Sequence, residues 1–230
     1  MHHTKASGGG TRNKADIIAV IGASGTGKSS YIKGELLKRY KRLLIWSPLE
    51  KTDKYADFCG GVVVSGKISE LVAQVKTGAK AIVFVPSGSD TQVKSQFDMF
   101  CRVVWELEGA TVLVEELSRV TMASWSPQAW RNLSTAGRHQ GLTIIGTSQR
   151  PASIDKDFLG NCTEVRCYRV NYDNDAKVMA DSLSLETVYD SASGRAVAVK
   201  PQKRLRELPN FHYFHKNPDL SVRQGVNKPL

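Results

Sequence analysis

The chain has 230 residues, 41% of them hydrophobic and 23% charged, with a formal net charge of +10. That length and apolar content suffice for one substantial α/β domain and exclude a chain disordered throughout. Four cysteines without a CxxC pair exclude a disulfide scaffold, and their spacing predicts reduced, mostly buried thiols rather than a zinc site.

Residues 1–14, "MHHTKASGGGTRNK", carry +3, lack the apolar centre of a secretion signal and read as a flexible basic arm. From residue 15 onward short β-branched runs alternate with longer amphipathic segments. Strands are predicted at 16–21, 42–47, 61–65, 81–86, 111–115, 142–148, 163–170 and 195–200, and helices at 28–40, 68–77, 91–108, 126–138 and 173–183. Several strands are apolar on both faces, as strands between two helix layers must be, so residues 15–200 are expected to form an open three-layer α/β domain with a mostly parallel sheet. In the third helix Phe97, Phe100, Cys101, Val104 and Leu107 recur at helical spacing as a core stripe, and Gly109 follows as a stop. Cys162 and Cys167 stand five apart in a predicted strand and so face opposite ways.

After residue 200 the regularity fades. Residues 201–230 read as a basic carboxyl-terminal tail in which Phe211, Tyr213 and Phe214 lie among cations. Such a tail can stack on bases, dock on a neighbouring subunit or fold back on its own domain. Residues 195–230 carry +6 and residues 15–194 only +1, so the basic character belongs to the ends: solvated tails, or contacts to a phosphate polymer or an acidic protein. No apolar run approaches the roughly eighteen residues of a membrane span, and the chain is expected to stay soluble inside a cell.

"GASGTGKS" fits G-x-x-x-x-G-K-[ST] at every fixed position, with a β-run before it and an amphipathic segment after. Gly22, Gly25 and Gly27 let the backbone curl so that N–H groups across Gly22, Ala23, Ser24, Gly25, Thr26, Gly27, Lys28, Ser29 and Ser30 point at phosphate oxygens. Lys28 would bridge the β- and γ-phosphates, and Ser29 would offer its hydroxyl to Mg²⁺. Hydrolysis further requires a carboxylate for the metal and a group that activates water. The apolar strand "TVLVEE" ends in Glu115 and Glu116 at the carboxyl edge of the sheet, so one can face Mg²⁺ and the other polarise water. Strand "LTIIGTS" then ends in Gln149, placed to sense the γ-phosphate or hold water, and Arg150. Arg131 and Arg138, seven residues apart, would share one face of a helix just before that strand.

The cradle, "TVLVEEL" and "GRHQGLTIIGTSQRP", in that order and spacing, resemble the HerA/FtsK superfamily of DNA-pumping ATPases over roughly residues 15–200. The compact size resembles the genome-packaging ATPases of tectivirus-type viruses. The resemblance implies a three-layer P-loop NTPase fold of RecA-like (ASCE) type, using ATP and Mg²⁺. It also implies a homo-oligomeric ring, commonly hexameric, that drives double-stranded DNA through a central channel. Lys28 and Ser29 are then nucleotide and metal residues, Glu116 the catalytic carboxylate and Gln149 the sensor. Arg138 is the first choice for an arginine supplied to a neighbour, ahead of Arg131 and Arg150. The departure is Glu115, where the superfamily usually has aspartate, so contact with Mg²⁺ through water is as plausible as direct contact. The implied setting is the host cytoplasm during assembly or the packaging vertex of a virion, with capsid-vertex or portal proteins as partners. DNA would be gripped without reading sequence, first of all by "SGSDTQVK" after strand 81–86 and by the basic tail. A small-molecule kinase, a nucleotide-switched assembly protein and a cellular HerA-like helicase or transfer ATPase are the alternatives.

Overall fold

Every residue of β1 (Ile17–Ile21) is buried, and its side chains alternate between two separate cores. Ile17, Ala19 and Ile21 enter one and Ile18 and Val20 the other, as a strand covered on both faces requires. The computed structural model describes residues 16–38, 40–190 and 197–229; the arm predicted at 1–14 lies outside them. After β1 come α1 (Lys28–Tyr31), a π-helical turn (Ile32–Leu36), β2 (Leu43–Trp46), α2 (Glu50–Asp53), α3 (Tyr55–Cys59) and β3 (Val62–Ser65). Next are α4 (Ile68–Lys76), β4 (Ala81–Val85), α5 (Asp90–Trp105), β5 (Thr111–Val114), α6 (Gln128–Ala136), β6 (Thr143–Ser148), α7 (Lys156–Asn161) and β7 (Glu164–Cys167). The chain finishes with α8 (Asp173–Ser182), β8 (Val188–Asp190), β9 (Val197–Val199), α9 (Pro201–Arg206), β10 (His212–Lys216) and β11 (Val222–Val226).

Among the described residues the central sheet has nine strands in the order β11-β10-β7-β1-β6-β5-β2-β4-β3. The pairings from β7 to β3 are parallel, and β10 and β11 add an antiparallel edge. All the parallel strands therefore open their carboxyl ends onto one rim, where α/β sheets hold ligands. The larger core contains the predicted α5 stripe. Phe97, Phe100, Cys101 and Val104 are fully buried, and Trp46 stacks on Phe84 and meets Phe97 and Phe100 edge-on. Burying each such phenylalanine contributes about 1.5–3 kcal/mol. The smaller core packs Tyr31, Ile32, Leu37 and Tyr55 on the opposite face, completing the three layers.

Three expectations need correction, and one left open is decided. Of the readings open for the carboxyl-terminal segment, folding back on its own domain is the one observed: α9, β10 and β11 return to the sheet, where Phe214 pairs with Cys167. Hydropathy concealed this because much of what they bury is polar, His215 and Asn227 gathering around the buried Arg166. The predicted strand at 195–200 is described from Val197 and pairs with β8 in a separate two-stranded sheet. The helix predicted at 28–40 ends at Leu36, its second half π-helical around Gly34, a poor helix former. Cys162 caps the end of α7 and lies outside the strand. All four thiols are free, and burial pushes those of Cys101, Cys162 and Cys167 up, keeping them protonated. Among the described residues no helix is long and apolar enough to cross a membrane.

Candidate active site

The loop between β1 and α1 is stitched to the strands on both sides of it. Gly22 N–H donates to Ser148 O at 3.1 Å at the end of β6, and Ala23 N–H to Arg169 O at 2.8 Å just past β7. Gly25 (φ 72°) and Gly27 (φ 114°) occupy the left-handed region that side chains disfavour. Lys28 crosses the loop, its Nζ donating to Gly22 O at 2.7 Å and Ala23 O at 3.0 Å. Desolvation lowers the pKa of Lys28, and the charges of Glu116 and Glu115 oppose the shift. Phosphate oxygens are stronger acceptors for this partly desolvated cation than neutral carbonyls.

The acidic strand tip faces this loop. Glu115 N–H continues the ladder to Trp46 O at 3.0 Å, and the next residue, Glu116, turns left-handed (φ 55°, ψ 59°). For a residue with a Cβ that conformation costs of order 1–3 kcal/mol and persists only where its surroundings hold it. It also sends the two carboxylates to different partners. Glu115 is buried, with Oε1 accepting from the Tyr55 hydroxyl and Oε2 from Thr147 Oγ1 at 2.6 Å. Glu116 Oε1 accepts from Gln149 Nε2 at 2.8 Å, and Glu116 N–H donates to Thr147 Oγ1 at 3.2 Å. Thr147 thus fixes both acids. Ser24, Gly25, Lys28 and Ser29 line one wall of a cleft of about 250 Å³, and Glu115, Glu116 and Gln149 line the other. One wall can bind phosphates and the other can hold a cation and orient water.

Burial raises the pKa of Glu115, while hydrogen bonds from Thr147 and Tyr55 pull it down. If turnover needs Glu115 ionised, the acid limb of the pH–rate profile will lie above the ordinary glutamate range, activity being lost as pH falls through the raised pKa. Thr147→Val removes one stabilising donor, so the limb should move to higher pH. Steady-state phosphate release measured across pH checks this, and an unmoved limb would detach Glu115 from the rate.

The three arginines do not converge on the cleft. Arg131 and Arg138 do not share a continuous helix: α6 stops at Ala136 and a 3₁₀ turn covers Gly137–Gln140. A Cβ on Gly137 would lie 2.7 Å from the tip of Ile144, so the glycine permits a close approach to β6 where α6 ends. Arg131 is half-buried and its Nε has no hydrogen-bond partner among the described residues. Arg138 is exposed near the amino end of β6, roughly 20 Å from Gln149 at 3.3 Å per strand residue. Arg150 adjoins Gln149 but pairs with the buried Asp175 at 2.9 Å and lies 4.1 Å from the ring centre of Tyr172. In "SGSDTQVK", Ser89 and Gln92 form the capping box of α5, and Lys94 lies over the ring of Trp125.

Sequence reasoning missed Asp53, Tyr55 and Thr147, and it named Phe211 only as part of an aromatic patch, not as a residue of this cleft. Thr147 was within reach, since it shares a face of β6 with Gln149 by strand alternation. Tyr55 and Asp53 carry no motif and come to the site only because α2 and α3 follow β2 onto the same rim. Among the described residues no three His, Cys, Asp or Glu side chains form a cluster suited to a metal ion. Ser29 and Glu115 line the same cleft; a Mg²⁺ ion carried by a nucleotide needs few protein ligands, since the phosphates supply the others.

No protein-family model matches the chain. Protein P9 of Pseudoalteromonas phage PM2 is 31% identical over 172 residues, covering 73% of this chain and 75% of the phage protein. The genome packaging NTPase B204 from Sulfolobus turreted icosahedral virus 2, solved with AMPPCP, matches with a TM-score of 0.64 and 16% identity over 94% of this chain and 99% of its own. VirB4 of Thermoanaerobacter pseudethanolicus matches with a TM-score of 0.68 and 11% identity over 93% of this chain and 89% of its own. At such identities the two structures establish the shared fold, a RecA-like P-loop ATPase, while the phage relative and the motifs of the cleft establish kinship. With Protein P9 of phage PM2, the chain belongs to the HerA/FtsK superfamily of P-loop ATPases.

Proposed function

We propose that the chain hydrolyses ATP with Mg²⁺ to drive double-stranded DNA into a viral capsid, working as a homo-oligomeric, hexameric ring. The observation that carries this reading is the left-handed Glu116, hydrogen-bonded to Gln149 and facing Lys28 across one cleft. Residues Gly22 to Ser30 hold the phosphates, Glu116 polarises the attacking water, and Gln149 orients it and registers the γ-phosphate. Ser29 and Glu115 would hold Mg²⁺, which would supply charge neutralisation between the β- and γ-phosphates. The methylene that distinguishes Glu115 from aspartate is accommodated by Tyr55 and Thr147, which leave each carboxylate oxygen a lone pair.

Among the described residues no cation other than Lys28 lines the cleft, so the protein's further positive charge for the transferred phosphoryl group would come from outside it. We assign that part to an arginine of the adjacent protomer, with Arg138 first. Its exposure and its distance from its own cleft suit delivery in trans. A site completed by a neighbour couples hydrolysis to assembly, which a ring motor requires. The work would be done in the host cytoplasm or at the virion's packaging vertex, with capsid-vertex or portal proteins as partners.

ATP turnover with and without duplex DNA tests the reading. DNA of any sequence should raise the rate, and added salt should abolish the increase. Turnover indifferent to DNA would favour a switch or assembly role, and turnover that needs a small-molecule acceptor would favour a kinase. Inactive Lys28→Ala and Arg138→Ala proteins, once mixed, should regain part of the wild-type rate. No recovery in a confirmed mixed ring would remove Arg138 from the trans role.

A further inference from the structure

The sheet order gives the cleft a direction. β5 and β6, which carry Glu115, Glu116 and Gln149, lie on one side of β1, and β7 and β10 lie on the other. A triphosphate whose terminal phosphate faces the acids therefore points its nucleoside end toward β10. Phe211, the residue before β10, lines the cleft there, half-buried and a member of neither hydrophobic core.

Its backbone is left-handed (φ 68°), a conformation a phenylalanine holds only under constraint. The constraint is the phosphate loop. Phe211 N–H donates to Thr26 O at 2.8 Å, Phe211 O accepts from Asn227 N–H at 2.9 Å, and Asn227 Nδ2 donates to Gly27 O at 3.4 Å. A Cβ placed on Gly27 would lie 2.9 Å from Cδ1 of the Phe211 ring, so the ring sits directly against the loop's last glycine. Strained backbone, a ring outside the core and a seat at the nucleoside end of the cleft have one common explanation.

We propose that Phe211 is the platform on which the nucleobase stacks, an inference that rests on the cleft being a nucleoside triphosphate site. A ring face recognises the π-surface of a base and not its edges, so the platform accepts any base and holds purines more tightly than pyrimidines. The residue comes from the returning terminal strands, so the segment that completes the sheet also completes the nucleotide site.

Calorimetric titration of the full chain with MgATP and with inorganic tripolyphosphate tests this, using wild type, Phe211→Gly, Phe211→Leu and Phe211→Tyr. Glycine accepts the left-handed backbone without steric cost, so the strand anchor survives while the ring is lost; leucine keeps apolar bulk without a π-face. ATP should bind about 5- to 100-fold more weakly to the glycine and leucine variants and near normally to the tyrosine variant. Tripolyphosphate should bind all four alike. Unchanged ATP affinity without the ring, or equal loss for both ligands, would overturn the platform. A wild-type protein that binds neither ligand would instead overturn the cleft itself.

Discussion

Glu116→Gln should lower ATP turnover by about two to four orders of magnitude, the usual contribution of a positioned general base, while leaving ATP bound. The substitution keeps the side chain's shape, and its amide oxygen can still accept from Gln149 Nε2, so the geometry of the strand tip is retained. What disappears is the negative charge that would polarise water. Losing that charge also removes one attraction that favours protonated Lys28. ATP affinity should therefore hold or rise slightly, since a triphosphate no longer meets that carboxylate. Phosphate release and calorimetric affinity, measured side by side, separate the two effects. Turnover within tenfold of wild type would take Glu116 out of the chemistry.

The second large effect falls on stability. Arg166 is 2% exposed in β7, its guanidinium carbon 3.4 Å from the ring centre of Tyr31 and 3.9 Å from that of Tyr213. Its Nε donates to His215 Nδ1 at 3.3 Å and its terminal nitrogen to Asn227 Oδ1 at 3.0 Å. Asn227 in turn donates to the Tyr168 hydroxyl and to Gly27 O. Arg166→Ala would open a cavity between two aromatic rings and leave two buried acceptors unpaired, for a combined cost of about 3–5 kcal/mol. Arg166→Met fills much of the space but still orphans the acceptors, and should recover only part of the loss. Urea unfolding measures both variants, and a loss under about 1 kcal/mol for alanine would mean the network holds little together. Because Asn227 touches the phosphate loop, ATP affinity should weaken in parallel with stability.

Parts of this molecule were legible from sequence because single physical rules wrote them. Buried parallel strands must be apolar on both faces, and β1, β2, β4 and β5 are. A phosphate loop must curl, and Gly25 and Gly27 allow it. An acid pair closing an apolar strand and a glutamine closing the next reach the same rim, as "TVLVEE" and "LTIIGTSQ" do. The rest depended on pairings that pattern does not encode. β10 is held to β7 partly by a buried polar cluster around Arg166, and a strand with that content looks like loop. Arg150 was a lesser candidate for the transition-state arginine, and its pairing with Asp175, 25 residues away on α8, is invisible to sequence pattern. Tyr55 reaches Glu115 only through the tertiary fold, and the close approach of Gly137 to Ile144 is likewise set by packing against β6.

Where a triphosphate sits decides whether this cleft is the site of hydrolysis. A crystal structure of the Glu116→Gln protein with ATP and magnesium tests this most directly. Phosphates should be wrapped by Gly22 to Ser30, with Lys28 moved from the loop carbonyls onto them and the γ-phosphate beside Gln149 and residue 116. Nucleotide bound elsewhere, or a γ-phosphate pointing away from β5 and β6, would contradict it.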